Sequence, residues 1–323
     1  MKPFQSCVKK ITHAIIPSVA VLYALTVLTG CPPSKEKNKN TISRVINLDS
    51  TLLINHLATL SSAQMEGREI ATPGNQRARE YIVRNFDSLH LAKTGDSYLQ
   101  PFPFGNDNKE GINIIGLIKG TKYSENYIAI TAHYDHLGTR NGTIYYGTDD
   151  NASGTAAMLA MAAYFKQHPP KHSLLFVAFD GEEKGLLGSK YFVAHCPVQV
   201  NTILVNVNMD MVSRNDKGEI YASGTDHYPF LKKFVDSVQP FTPVHILYGH
   251  DGEKAGEQDW TSQSDHFAFH QNHIPYLYFG VEDHADYHRP GDTFDKVNKS
   301  FYYHVCTMIT AVTSLLDGPN IIE

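Results

Sequence analysis

The sequence predicts an α/β fold, a three-layer α/β/α sandwich around a mixed, mostly parallel central sheet. Two observations lead to this fold class. From about residue 112 onward, β-rich runs alternate with segments whose apolar residues recur at helical spacing. One run, residues 173–180, is continuously apolar, which is typical of a strand covered by helices on both faces. The chain has 323 residues, of which 42% are hydrophobic, and is therefore long enough to bury a large core.

The first 30 residues predict a signal peptide, with lysines before a largely apolar stretch. The stretch ends in LTGC, residues 28–31, which resembles the bacterial lipoprotein box. This resemblance implies cleavage before Cys31, lipidation of its side chain and a lipid-anchored protein in the bacterial envelope that faces the periplasm or the exterior. The alternative, an uncleaved membrane anchor, is disfavoured by the helix-disrupting Pro17.

Residues 31–44 are polar, charged and begin with two prolines after the cysteine, so we expect a flexible tether. Residues 45–323 then form a single domain. Two cysteines of this domain, Cys196 and Cys306, remain to be explained. An exported compartment would permit a disulfide between them, and two free thiols are equally compatible with the sequence.

Within the domain, helices and strands are predicted in alternation. Helical spacing, a good N-cap candidate at Asp49 or Ser50 and a proline near the start of the second segment support the helices. The predicted helices are residues 48–62, 72–89, 153–168, 186–195, 227–238 and 300–317. The predicted strands are residues 111–120, 126–135, 173–180, 202–210 and 274–280.

The charge balance limits the classes of partner. Lysine and arginine number 28 against 33 aspartates and glutamates, which gives a formal net charge of −5. The sequence contains no basic stripe, and we therefore expect no nucleic-acid partner.

Several predicted strands end in side chains that commonly bind metal ions. AHYDH, GEE and NMD follow three strands, DD opens a loop before a helix, and DHADYH follows the last strand. If these strands are parallel, their carboxyl ends meet at one edge of the sheet. An Asp at a helix start is usually only an N-cap, but the coincidence of five such positions predicts a metal site.

The ligand types indicate the metal. Histidine with carboxylates and without cysteine suits zinc, with cobalt or manganese as substitutes. Five ligands are too many for a single tetrahedral zinc with an open position. They suit two ions about 3.5–4 Å apart that share one carboxylate.

The motifs AHYDHLG, GTDDNASG, FDGEE, NMD and DYHRPGDTFDK resemble, in order and spacing, those of the two-zinc aminopeptidases. The resemblance extends from about residue 65 to the closing helix. It implies the zinc-exopeptidase fold (phosphorylase/hydrolase-like) and a centre with two Zn²⁺ ions. It also implies an aminopeptidase that acts on peptides with a free N-terminus. One zinc would take His133 and Asp210, the other Glu183 and His288, with Asp150 shared between them.

The same resemblance implies three catalytic roles. Glu182, the first of the paired glutamates, would be the general base that takes a proton from the attacking water and passes it to the leaving amine. Asp135 would orient the His133 imidazole. Tyr287 would steady the developing oxyanion.

Other polar residues of these motifs are expected to have lesser roles. We expect Asp149 to support the ligands or form the turn, and His136 to line the cleft at most. Arg68 is expected to fix the N-terminal helices, although it could reach the site. Asp265 and His266 could lie near the substrate, and a structural role is at least as plausible. The loop at residues 250–263, with Trp260, could wall the specificity pocket.

Alternative functions remain open. A glutaminyl cyclase shares this scaffold with one working zinc, and a dipeptidase or carboxypeptidase of the same fold also fits. A non-catalytic binding protein is a further alternative, since fold alone does not determine function. The presence of all five ligands and of Glu182 favours the peptidase.

Overall fold

A computed structural model of the protein describes residues 46–105, 109–252, 255–319 and 321. The predicted signal peptide, the lipidation site at Cys31 and the tether lie outside the described residues. Within the described part, no helix combines the length and apolar character that a bilayer crossing requires.

Among the described residues, six of the seven α-helices coincide with segments that the sequence predicts. Asp49 caps the first helix and Thr72 the second, which begins at Pro73. The helices are α1 Ser50–Leu60, α2 Pro73–Ser88, α3 Gly154–Gln167, α4 Leu187–Ala194, α5 Lys232–Val238, α6 His266–Gln271 and α7 Lys299–Leu316.

In the part of the chain that the structure describes, eight strands form the main sheet, and two short antiparallel strands form a separate hairpin. The strands are β1 Leu99–Phe104, β2 Lys109–Ile118, β3 Tyr123–His133, β4 Thr139–Arg140, β5 Thr143–Ile144, β6 His172–Phe179, β7 Ile203–Met209, β8 Glu219–Ser223, β9 His245–Leu247 and β10 Tyr276–Gly280.

The main sheet is mixed, with a parallel centre. Its strand order is β1-β2-β6-β3-β7-β10-β8-β9. The neighbours β6, β3, β7 and β10 run parallel, whereas β1, β2 and β8 join antiparallel to their inner neighbours. The predicted mixed sheet is therefore confirmed. The carboxyl ends of the four central strands lie at one edge, where the candidate residues are found.

Helices cover both faces of this sheet. The strand β6 is buried along its whole length. Leu175, Val177 and Phe179 pack with Phe192 of α4 and Phe269 of α6 in one core cluster. Side chains alternate along a strand, so the remaining residues of β6 face the opposite layer, to which α3 belongs. The three predicted layers are present.

The structure corrects several sequence-based assignments. The helix predicted at residues 227–238 begins as a 3₁₀ turn at Pro229–Leu231 and is α-helical only over Lys232–Val238. The strands β1, β4, β5, β8 and β9 and the helix α6 were not predicted. Between the two alternatives that the sequence left open for Cys196 and Cys306, the structure shows two free thiols.

Candidate metal centre

The central strands deliver the candidate residues to one edge of the sheet. His133 is the last residue of β3, Glu182 and Glu183 follow β6, and Asp210 follows β7. His288 belongs to the loop after β10. Parallel strands thus bring together residues that are far apart in the chain.

A first group of donor atoms surrounds His133. Its Nε2 lies 3.2 Å from Asp210 Oδ1, 3.4 Å from Asp150 Oδ1 and 4.0 Å from Glu182 Oε2. His133, Asp150 and Asp210 are all buried.

A second group surrounds Glu183. The Nε2 of His288 lies 3.1 Å from Asp150 Oδ2 and 3.2 Å from Glu183 Oε2. His136, three residues after His133, places its Nδ1 2.8 Å from Glu183 Oε1 and 3.6 Å from Asp150 Oδ2. Asp150 therefore turns one carboxylate oxygen to each group, which is the position of a shared ligand.

The donor sets fit divalent metal ions. His133 and Asp210 offer ligand atoms within 4.8 Å of each other, with a carboxylate oxygen of Glu182 within the same distance of both, and His136, Asp150 and Glu183 offer three more. In the second set, His136 Nδ1, Asp150 Oδ2 and Glu183 Oε1 are buried without a hydrogen-bond partner. Buried polar atoms are costly when unpaired, and a cation between them would satisfy all three.

Asp135 links the two sides of the site. Its Oδ1 lies 3.7 Å and its carbonyl oxygen 3.3 Å from His133 Nδ1, the ring nitrogen that faces away from the donor group. The same carboxylate accepts the backbone N–H groups of Glu182 and Glu183, at 3.1 and 3.4 Å. Asp135 is fully buried and so fixes both the imidazole and the glutamate pair.

The paired glutamates have opposite electrostatic surroundings. Burial, together with the negative charges of Asp210 and Asp265, raises the pKa of Glu182 well above its ordinary value. Burial alone would also raise the pKa of Glu183, but the neighbouring imidazoles of His136 and His288 hold it well below its usual range. Glu182 is thus suited to accept a proton and Glu183 to remain ionised.

Neighbouring carboxylates raise the pKa values of His288 and His133. Burial would lower the pKa of His288, but Asp150 and Glu183 raise it to about 10. Burial would likewise lower the pKa of His133, but the negative charges of Asp210 and Glu182 raise it well above its ordinary value. Both pKa shifts result from the negative charge concentrated around these histidines, and the same charge favours the binding of a cation.

Two further aspartates, Asp149 and Asp292, hold the loop that carries Asp150. Asp149 Oδ1 accepts the N–H and the hydroxyl of Ser213, at 2.7 and 2.8 Å. The carboxylate of Asp292 accepts the N–H groups of Asp149 and Asp150 at 2.9–3.1 Å. Sequence reasoning missed this role of Asp292, although the residue belongs to the DYHRPGDTFDK motif. The position of Asp292, four residues after His288, was the one feature of the sequence that pointed to this role.

A cavity of about 390 Å³ opens beside both groups. Trp260 and the adjacent Glu257–Asp259 segment line it, as expected for this loop. Tyr287 lines it too, and its ring stacks on that of His288 with 4.0 Å between centroids. Burial and the charges of Asp150 and Asp210 raise the pKa of Tyr287, so its phenol stays protonated as a hydrogen-bond donor.

Three other candidates lie outside the cavity lining. Asp265 and His266 are fully buried at the start of α6, where His266 Nε2 contacts the Trp260 carbonyl oxygen at 3.0 Å. Burial lowers the pKa of His266 to about 3. Arg68 is fully buried and donates to backbone carbonyls rather than to the donor groups. These positions favour the structural interpretation of all three.

The chain matches one family model and several curated proteins in sequence. Residues 113–313 match the family model of Peptidase family M28. Aminopeptidase YwaD of Bacillus subtilis is 28% identical over 243 residues, which cover 71% of the chain and 49% of that protein. The chain thus spans about half the length of this curated relative.

Solved structures share the fold. A zinc aminopeptidase from Bacillus subtilis superposes with a TM-score of 0.68 at 19% identity, over 84% of the chain and 96% of that protein. A glutaminyl cyclase from Bacteroides thetaiotaomicron gives a TM-score of 0.65 at 17% identity, over 83% of the chain and 98% of that protein. The α/β fold is therefore common to proteins with different chemistry.

Proposed function

Because the chain belongs to peptidase family M28, we propose that it is a zinc-dependent aminopeptidase that removes N-terminal residues from peptides through a two-metal centre. One observation carries the proposal. Five His, Asp and Glu side chains converge in two donor groups that share Asp150, at the mouth of a cavity of about 390 Å³. Such a constellation with an adjacent glutamate is the arrangement that metal-assisted hydrolysis requires.

The roles of the residues follow from their positions. Zinc ions held by these groups would acidify water and polarise a carbonyl oxygen. Glu182 reaches into the cavity with a raised pKa, so it can take the proton of the attacking water and deliver it to the leaving amine. Tyr287, protonated and beside His288, can donate a hydrogen bond to the oxyanion that develops on the substrate. Asp135 holds His133 and both glutamates in place.

The cavity supports a substrate with a free amino terminus. Its lining includes Glu257, Asp259 and Asp283 in addition to the donor groups, and among the described residues it includes no lysine or arginine. A negatively charged, partly enclosed cleft attracts a protonated amine and disfavours a carboxylate. The N-terminal end of a peptide therefore fits better than its C-terminal end, which argues against a carboxypeptidase.

A glutaminyl cyclase is the second candidate, since one such enzyme has the same fold. Cyclisation on this scaffold is expected to need one working zinc, whereas this chain offers two complete donor groups. A binding protein without activity would have no need of Glu182 at the cavity wall.

The experiment is a metal determination combined with a substrate panel. The purified protein should contain about two zinc ions per chain and hydrolyse aminoacyl-p-nitroanilides, and a chelator should abolish the activity. Metal binding with cyclisation of N-terminal glutamine instead would support the cyclase. Failure to bind metal would exclude the aminopeptidase and the cyclase alike.

We also propose that the protein is a lipoprotein of the bacterial envelope, attached to a bilayer through Cys31. The support is the LTGC motif at residues 28–31 after a charged and apolar leader. Cells fed a labelled fatty acid should label the wild-type protein and leave a Cys31→Ser variant unlabelled. Equal labelling of both would contradict the proposal.

A further inference from the structure

His136 occupies a position in the second donor group that the five-residue ligand set leaves unexplained. It is 1% exposed and does not line the cavity. Its Nδ1 approaches the same two carboxylates as His288 Nε2, with 2.8 Å to Glu183 Oε1 and 3.6 Å to Asp150 Oδ2. The two imidazoles approach Glu183 through different oxygens, since His288 faces Oε2.

The contact between His136 and Glu183 is close but is not a well-aligned hydrogen bond. Both ring nitrogens of His136 lack a hydrogen-bond partner, and so do Glu183 Oε1 and Asp150 Oδ2. His136, Asp150 and Glu183 each offer a ligand atom within 4.8 Å of the other two. A protein rarely leaves several buried polar atoms unpaired, because each one forfeits its hydrogen bonds to water. Atoms that surround a common point without bonding one another are arranged as ligands of a cation.

The surrounding backbone is shaped to hold this imidazole. Gly147 packs directly on the ring, and a Cβ at that position would collide with the Asp150 carbonyl oxygen and with the imidazole carbons. The Arg68 guanidinium holds the loop in place, donating to the carbonyl oxygens of Tyr146 and Gly147 at 2.8 and 2.7 Å. Arg68 also accepts the N–H of His136 through its own carbonyl oxygen. The ring is therefore fixed from two sides and directed at the carboxylates.

We propose that His136 is a ligand of the second metal ion, together with Asp150, Glu183 and His288. This inference rests on the proposed two-metal centre and deepens it. Two imidazoles and two carboxylates complete a four-coordinate, closed set of the structural type. The first position, with His133, Asp150 and Asp210, has three protein ligands and keeps an open place beside Glu182.

The two metal positions are consequently unequal. The second position binds a divalent ion tightly and serves to fix Asp150 and Glu183. The first position binds more weakly, exchanges its ion and carries the chemistry. Removing His136 should therefore affect the tighter binding step.

The test is a zinc titration of metal-free protein against a chromophoric chelator, with X-ray absorption measured at one zinc per chain. In the wild type we expect two binding steps and two imidazoles around the first ion bound. In His136→Ala the tighter step should weaken at least ~10–100-fold, and one imidazole should be lost. His172→Ala removes a buried histidine that pairs with Asp317 instead, and it should leave both steps unchanged.

A second variant keeps every donor atom. Gly147→Ala should displace the His136 ring, and its added Cβ also meets the Asp150 carbonyl oxygen, so the decisive reading of this variant is the loss of one imidazole around the first zinc bound. Circular dichroism would verify that each variant is folded. Unchanged affinities in both variants, or a single imidazole around the first zinc in the wild type, would overturn the inference. If the wild type binds fewer than two ions, the two-metal centre itself fails, which is a distinct result.

Discussion

At the scale of single residues, Glu182 and Glu183 are neighbours in the chain but meet different surroundings. Burial and other carboxylates raise the pKa of Glu182, whereas two imidazoles lower that of Glu183. Asp135 fixes both through their backbone N–H groups. The division of work between two adjacent carboxylates thus comes from the side chains that the fold places around each of them.

Asp292 should matter for metal binding although it contacts no metal-type donor atom through its side chain. Its carboxylate holds the N–H groups of Asp149 and Asp150. Asp292→Ala would free the loop that positions the shared carboxylate, and zinc affinity should fall about 10–100-fold. The exposed Asp295, in the next turn, supplies the control variant Asp295→Ala. Equal zinc affinity in both variants, measured by chelator competition, would exclude this role.

The candidate site was predictable from the sequence where motifs end predicted strands. His133, Asp150, Glu183, Asp210 and His288 come together as expected. The burial of the His136 side chain beside Glu183 could not be predicted from the sequence. It depends on Gly147, which packs on the ring, and on Arg68, which holds Gly147 from 79 positions earlier in the chain. The role of Asp292 depends on a contact across 143 positions.

At the scale of elements, polar contacts join the ends and faces of helices. The α1 residue His56 is 3% exposed and contacts the Tyr81 hydroxyl of α2 at 2.7 Å through its Nδ1. Elsewhere in the domain, Asp317 after α7 accepts the N–H groups of Lys171 and His172 where β6 begins. The first contact ties α1 to α2, and the second ties the end of α7 to the start of β6.

The buried His56 should make stability depend on pH. Burial lowers its pKa to about 4, from 6.5 in the unfolded chain. Above pH 6.5 the His56 side chain is neutral in both the folded and the unfolded state, and its titration does not lower the free energy of unfolding. Between pH 6.5 and pH 4 the His56 side chain binds a proton in the unfolded chain but not in the folded protein. The free energy of unfolding therefore falls by roughly 3 kcal/mol over this range. Urea titrations should show a smaller loss in His56→Gln than in the wild type, whereas His245→Gln, an exposed site, should behave as wild type.

Removing the carboxylate of Asp317 should destabilise the domain. It accepts two N–H groups and lies 3.1 Å from His172 Nδ1. We expect Asp317→Ala to lower the free energy of unfolding by about 1–3 kcal/mol. The exposed Asp216→Ala should change it by less than about 0.5 kcal/mol. A thermal denaturation series would contradict the assignment if the two variants melted alike.

Sequence periodicity identified the long helices and the central strands but missed the edges of the sheet. The edge strand β1 contains Pro101 and Pro103, which are unfavourable in a strand and tolerated at an edge. The strands β8 and β9 are five and three residues long. Segments this short have too few residues for an alternation of apolar and polar side chains to predict a strand. Their conformation is set by their pairing with the rest of the sheet.

At the scale of the whole molecule, the site is held by strands and loops from most of the domain. The donor groups combine residues from β3 to the loop after β10, so an ion bound there would tie distant segments together. The alternation of helices and strands was sufficient to predict the α/β class, and the fold shared with a Bacillus zinc aminopeptidase agrees with it. The strand order depends on long-range pairing, which periodicity does not encode.

Metal removal should lower the thermal stability of the whole domain. The unfolded chain lacks the assembled donor groups, so bound zinc stabilises the folded state by mass action, by about 2.7 kcal/mol at a hundredfold excess over Kd. Dialysis against a chelator should lower Tm by roughly 5 °C or more, and added zinc should restore it. A Tm that does not respond to zinc would contradict a centre that spans the domain.

Glu182→Gln shows whether Glu182 performs the chemistry beside metal ions that it does not bind. Zinc content and peptidase activity should be measured on the same preparation of the wild type and the variant. We expect the variant to retain two zinc ions while its kcat falls about 10²–10⁴-fold. If the variant hydrolyses aminoacyl-p-nitroanilides at the wild-type rate, or loses its zinc together with its activity, Glu182 is not a general base that leaves the metal ions in place.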